Sequence, residues 1–139
     1  MHIFVCLDNV CGMTFNKRRQ SSDRVIRENI LQTIDEKKLY VNGYTAKQFE
    51  EDERLLIDED CIEKAKSGDY VFLENIMVGN YISEIESIIV YRWQRKYPAD
   101  FFFDIDLTSD AWNLTSSEEI TGYSHELIIK EIYEPAHKE

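Results

Sequence analysis

The sequence predicts an α/β fold: a twisted, mostly parallel sheet with flanking helices, closed by a C-terminal antiparallel hairpin. Three observations carry that expectation. Short β-type runs alternate with helix-type segments through the first two thirds of the chain, the order that builds parallel sheets covered by helices. From residue 87 onward the pattern changes to longer runs rich in β-branched and aromatic residues, SIIVYRWQ, WNLTSSEEI and HELIIKEIYEP. Only five glycines and two prolines occur in 139 residues, and no linker composition separates the chain into parts, so one domain over 1–139 is expected.

Taken in order, HIFVCL (2–7) is a short apolar run ended by the turn-like DNVCG. It lacks the basic segment of a signal peptide and runs directly into an acid, so it reads as a first strand. Ser21 or Ser22 is placed to cap a helix over 22–34, with Asp23 in its first turn, where the helix dipole favours an acid. Ile26, Ile30, Thr33 and Ile34 share its inner face. KLYVN (38–42) is a second strand closed by Gly43, and YTAKQFE begins a short helix capped by Thr45. RLLID (54–58) is a third strand, and EDCIEKAKSG a short helix stopped at Gly68. DYVFLENI (69–76) is strongly β-type and NYISEIE gives a helical turn or two. SIIVYRWQ (87–94) is a long strand, and ADFFFDIDL is irregular or extended. Residues 112–120 and 125–135 pair antiparallel around Gly122.

A net charge of −11 argues against broad binding to nucleic acid or to anionic membranes, which would repel it. No apolar run approaches the roughly 20 residues needed to span a bilayer. Three cysteines, Cys6, Cys11 and Cys61, without a CxxC pair point to a reducing cytoplasm. The acids concentrate in 50–63 and in 98–139. They form either a plain solvated surface or an interface for a basic protein, and Asp104, Asp106, Asp110, Glu118 and Glu119 are the partner-binding candidates.

Against this background GMTFNKRRQSSDRVIRENIL (12–31) gathers Lys17, Arg18, Arg19, Arg24 and Arg27. Three explanations stand. The bases pair with the chain's own acids, at about 0–1 kcal/mol for each exposed pair. They line a cleft beside Asp23 and hold a small anion, with Arg18, Arg19 and Asp23 as ligand-binding residues. Or they form half of a bipolar protein-binding face.

The element order, with IFVCLDNVCGM, QSSD, KLYVNGYTAKQF, DYVFLENIMVGNYISEI, SIIVYRWQRKYPADFFFDI and the final WNLTSSEE and HELIIKEIYE in register, resembles the dihydrofolate reductase fold over most of the chain. The resemblance implies that the loop after the first strand covers a site. It also implies that Asp23 stands where the family has a buried acid supporting protonation during hydride transfer, a role suited to a raised pKa. The sequence departs from the family where the cofactor would bind. LENIMVGN offers the lone Gly79, with Glu74 standing where bare backbone should approach phosphate. Tyr44 replaces an arginine in NGYT, and KRRQS replaces the Leu-Pro-Trp signature.

These features lead to the expectation of a non-catalytic binding protein on a reductase-like scaffold, without a cofactor, of the acidic immunity or antitoxin type that neutralises a basic nuclease toxin. The alternatives are a pteridine or nucleotide reductase using NADPH and Asp23, and a sensor of small anionic ligands. His2, His125 and His137 lack metal-ligand spacing, and no HxHxDH, HExxH, GxSxG or Walker motif occurs. DIDLTSD lacks the glycine and terminal glutamate of a calcium loop. Tyr91, Trp93 and Tyr97 beside Arg92, Arg95 and Lys96 could stack on nucleic acid, but read more simply as strand residues.

Overall fold

The computed structural model describes residues 1–136; His137 lies outside them. Among the described residues ten strands and three α-helices follow one another. They are β1 (His2–Leu7), β2 (Gly12–Phe15), β3 (Arg18–Arg19), α1 (Arg24–Ile34), β4 (Leu39–Val41), α2 (Gly43–Ala46), β5 (Leu55–Ile57), α3 (Cys61–Lys64) and β6 (Tyr70–Phe72). After a 3-10 turn at Gly79–Glu84 come β7 (Ser87–Arg92), β8 (Phe101–Phe102), β9 (Trp112–Ile120) and β10 (Ile128–Pro135). Seven strands form one sheet in the order β5-β4-β6-β1-β7-β10-β9. The first five are mutually parallel, and β10 and β9 close the sheet antiparallel. The α/β fold with its terminal hairpin is therefore the architecture observed.

The core lies on both faces of the sheet. Along β1, Ile3, Val5 and Leu7 face one side, with Cys61 and Ile62 of α3 and with Phe103, Ile105 and Leu107. Phe4 faces the other side, where Ile26, Ile30 and Ile34 of α1 cover it together with Ile89, Tyr91 and Trp93. That spacing of isoleucines is the helical period. Tyr91 and Trp93 are buried in this layer, so they are not a stacking surface for nucleic acid. Among the described residues no helix is long and apolar enough to cross a membrane.

The structure differs from the sequence expectation in several places, among them the end of β7 at Arg92 rather than 94 and the start of β10 at Ile128 rather than 125. First, α1 is capped by Asp23 itself, whose side chain accepts from the Val25 N–H, not by Ser21 or Ser22. Likewise Asn42, not Thr45, caps α2. Second, β6 ends at Phe72, because residues 73–76 turn away to carry buried Glu74 toward α2. Third, residues 12–19 form a hairpin. Thr14 and Phe15 pair with Arg19 and Arg18, and β8 pairs on the other side of β2, making a second, three-stranded sheet. The hairpin turns at Asn16 and Lys17, with φ of 50° and 62°. Positive φ at both central residues is what a two-residue hairpin turn requires.

This second sheet sits at the carboxyl end of β1, reached through Asp8 and Cys11. Open α/β sheets bind their ligands at that end of their strands.

Candidate functional site

Asp23 is the centre of the polar network at this end. It is 3% exposed. Oδ1 accepts from the N–H groups of Val25 and Tyr123, and Oδ2 accepts from Ser124 N–H at 3.0 Å. His125 Nδ1 lies 2.8 Å from Oδ2. Burial alone would push the Asp23 carboxyl up. The Tyr123 N–H, the His125 ring and the Val25 and Ser124 N–H groups outweigh it and hold the pKa well below the ordinary carboxylate value. The raised pKa that a family-type proton donor would show is thus replaced by its opposite: Asp23 is a fixed anion that clasps the β9–β10 connection onto the start of α1.

The clasp continues through the imidazole. His125 Nε2 lies 2.9 Å from Ser21 Oγ. The His125 ring packs on Trp93, centroid to centroid 4.7 Å, and Arg24 stacks over Tyr123 at 3.9 Å. Gly122 permits the turn, because a Cβ there would lie 2.5 Å from the His125 carbonyl oxygen and 2.7 Å from Asp23 Oδ2.

A second buried carboxylate organises the neighbouring loops. Asp8 accepts from the N–H groups of Val10, Gly12 and Tyr97 and from Gln20 Nε2. Burial opposes its charge, but these donors prevail and leave its pKa lowered. The first-helix segment and the segment after β7 therefore meet at the same end of the sheet. Gln20 also donates to the Pro98 carbonyl, while its own Oε1 is buried with no partner. Beside it opens a cleft of about 510 Å³ lined by Phe15, Asn16, Arg18, Arg19, Gln20, Tyr97 and Pro98. Two arginines and no acid line it. Cys11, Asn16, Lys17 and Gln94, four of the five non-glycine residues with positive φ, fall in the segments that build this end. Local backbone strain of this kind gathers at functional sites.

The basic segment thus divides. Arg19 forks onto buried Glu74, at 2.8 and 3.0 Å, so internal pairing accounts for it. Arg18 is exposed on the cleft wall, and among the described residues it has no acidic partner. Asp23 does not line the cleft; it lies beyond Ser21, so the predicted trio of Arg18, Arg19 and Asp23 is adjacent rather than convergent.

The acidic candidates divide too. Asp104 accepts from the N–H groups of Val78 and Gly79 and anchors the 3-10 turn. Asp106 closes a local turn with Thr108. Asp110, Glu118 and Glu119 are exposed. Glu118 and Glu119 are consecutive in β9 and point to opposite faces of the sheet. Sequence reasoning missed Ser21 and His125, which stand 104 positions apart and match no local motif. Among the described residues no cluster of His, Cys, Asp and Glu could hold a metal ion.

No family model matches the chain, and no curated relative matches it. Among solved structures it is similar to the dihydrofolate reductase of Enterococcus faecalis complexed with NADP(H) and RAB-propyl. The TM-score is 0.70 at 10% identity, over 98% of this chain and 96% of the other. That likeness shows the fold.

Glu74 is 6% exposed and takes hydrogen bonds from Arg19, from Thr45 Oγ1 at 2.9 Å and from Gln48 Nε2 at 3.0 Å. The Arg19 guanidinium and the Thr45 hydroxyl are thereby committed to a carboxylate. Asp104 similarly takes the N–H of Gly79, the lone glycine of LENIMVGN.

Proposed function

We propose that this chain is a binding protein on a dihydrofolate-reductase-like scaffold, free of nicotinamide chemistry, that takes a small carboxylate or phosphate in the cleft at Arg18. The observation that carries the reading is the division of labour between the two arginines. Arg19 is locked to Glu74, while Arg18 lines a concave site bounded by Tyr97 and Pro98 with no acid in its wall. A guanidinium suits forked recognition of either anion. Three free cysteines, Cys6, Cys11 and Cys61, support a cytoplasmic setting.

The test is a thermal-shift titration. A ligand that binds only the folded chain stabilises it by RT ln(1 + [L]/Kd), about 2.7 kcal/mol at one hundred times Kd. At matched ionic strength, citrate or inorganic phosphate is expected to raise Tm with dose beyond the rise given by a non-binding sulfate control in the unaltered chain, and by no more than that control in Arg18→Glu. NADPH, NADH and a pterin are expected to leave Tm in place. A rise with NADPH that survives Arg18→Glu would instead favour the reductase alternative.

A second reading keeps the basic protein partner of immunity or antitoxin type. What favours it is exposure: every residue from Asn113 to Glu119 is exposed on β9, the outermost strand of the sheet. Its outer edge offers backbone groups for pairing, with Asp110, Glu118 and Glu119 as attracting charges. Binding of a basic nuclease that persists unchanged after reversal of these three charges would remove this reading.

A further inference from the structure

We propose that Ser21, His125 and Asp23 form a nucleophilic site that cleaves small carboxylic esters, with Ser21 Oγ as nucleophile and His125 as its base. The geometry is that of a linear relay. Asp23 Oδ2 meets His125 Nδ1 at 2.8 Å, and His125 Nε2 meets Ser21 Oγ at 2.9 Å. A nucleophile, a base and an orienting carboxylate in this order are recognised by geometry and role, not by their sequence order. Asp23 is held by three backbone N–H groups, which fixes its position and its charge. An ionised acceptor at Nδ1 keeps the proton on that nitrogen, so Nε2 presents its lone pair to the serine hydroxyl. The Trp93 ring packs on the imidazole and restrains its plane. Ser124 Oγ stands 3.3 Å from Asp23 and 3.2 Å from Nδ1, on the carboxylate side, and leaves the Nε2 side to Ser21.

The site is reachable as well as ordered. Ser21 is partly exposed and follows Gln20, which lines the Arg18 cleft. Two residues, Arg19 and Gln20, separate Arg18 from Ser21, so their Cα atoms are at most about 11 Å apart. An ester carrying a carboxylate could therefore offer its anion to Arg18 and its carbonyl to Ser21. In this extended form the proposal rests on the binding reading given above; the Ser21 nucleophile itself does not.

The chemistry balances with water as the only co-reactant. Ser21 Oγ bonds to the carbonyl carbon while its proton passes to His125 Nε2. The bond from that carbon to the leaving alkoxy oxygen breaks, and the alcohol departs with the proton from Nε2. Water then attacks the seryl ester, gives a proton to Nε2, and the acid leaves as Ser21 recovers it. Ser21 and His125 are the catalytic residues, and Asp23 is a positioning residue.

The first experiment uses a neutral alkyl phosphonofluoridate on the full chain, read by intact mass and peptide mapping. Ser21 oxygen bonds to phosphorus and fluoride leaves, with the hydroxyl proton taken up through His125. One phosphonyl group on Ser21 is expected, absent in Ser21→Ala and retained in Ser22→Ala. The labelling rate should fall about 100-fold or more in His125→Gln, the lower end for loss of a general base. Because that variant could loosen the clasp, the unaltered chain decides first: failure of Ser21 to label overturns the proposal. Labelling that ignores His125→Gln in a chain of unchanged Tm overturns it equally.

The second experiment compares 4-nitrophenyl acetate with 4-nitrophenyl hemisuccinate. Arg18→Ala should raise KM for the anionic ester alone. Asp23→Asn should lower kcat on both esters with little change in KM, a split that mere loss of packing would not produce. Equal KM values for both esters, with Ser21 still labelled, would overturn the Arg18 contact and leave the nucleophile standing.

Discussion

Asp23 shows how one residue can be placed correctly by its neighbourhood and yet do a different job. The sequence puts it at a helix start, and the structure makes it the cap of α1 and the receptor of the 123–125 turn as well. Asp23→Asn keeps the size but replaces one acceptor oxygen by an NH2 donor that faces two other donors, the Ser124 N–H and the His125 ring. Hydrogen bonds to charged groups are worth about 1.5–3 kcal/mol each, and part is retained by the amide oxygen. A loss of about 2–3 kcal/mol in a denaturant titration is expected; a loss under about 0.5 kcal/mol would mean that the clasp contributes little. Ser21 and His125 could not have been read in advance. Each is an ordinary polar residue in its own segment, and only tertiary folding brings a hydroxyl and an imidazole together from distant positions. Arg18 and Arg19 were legible as a basic pair, but not that one is free and the other locked. That distinction depends on Glu74, whose inward turn no local pattern announces.

Among the elements, the β2–β3 hairpin was the least legible. Its strands have four and two residues, and its turn is Asn16-Lys17 rather than the asparagine-glycine pair that signals such turns. Lys17 carries a φ of 62°, a conformation costing a residue with a Cβ about 1 kcal/mol. Lys17→Gly relieves that strain while giving the unfolded chain more freedom. A net gain of up to about 0.5 kcal/mol is expected, and a clear fall in Tm would show the turn to be unstrained. For the β9–β10 hairpin, by contrast, the sequence places β9 at its observed bounds and starts the second strand at 125 where β10 begins at Ile128, because its long runs and Gly122 are strong local signals while the turn that holds His125 is fixed by Asp23. Gly122→Ala places a Cβ against the His125 carbonyl and Asp23 Oδ2. Either the 121–125 turn moves or the contact strains, and overpacking of this kind costs about 1–3 kcal/mol. Tm should fall; an unchanged Tm would mean that the turn relaxes freely. The parallel strands β4, β5 and β6 have three residues each. Their existence was legible from alternation with helices, and their short length was not, since the sheet's neighbours decide where each one stops pairing.

At the scale of the whole molecule, the excess of negative charge and the few well-held carboxylates act on stability in opposite directions. A net charge of −11 opposes compaction through self-repulsion. Salt at pH 7 should therefore raise Tm, and should do so least near the isoelectric point of about 4.7. Against this stand carboxylates with lowered pKa values, Asp8 among them, of which Asp23, Asp52 and Glu86 are shifted furthest. Asp23 is held by its N–H donors and His125. Asp52 is brought to about 2 by the Arg54 side chain and then its backbone N–H, and Glu86 to about 2 by the N-terminal ammonium and then Gly68 N–H. For each, the unfolded chain binds a proton at a pH where the folded chain does not. Their stabilisation is therefore complete above the ordinary carboxylate range, about pH 4, and is lost as pH falls through the folded values. His2 adds to the same limb from a higher pH. Burial lowers its pKa, so the unfolded chain takes up that proton first as pH falls below about 6.5. Tm measured from pH 7 to pH 2 should hold or rise slightly toward pH 5, where net charge shrinks, and then drop steeply between about pH 4 and pH 2. In Asp23→Asn that acid limb should be shallower, since one of the linked protons is gone. An acid limb of unchanged steepness in Asp23→Asn would mean that Asp52, Glu86 and the remaining surface acids carry the whole transition. The clasp at the end of the sheet would then be a local fastening rather than a determinant of global stability.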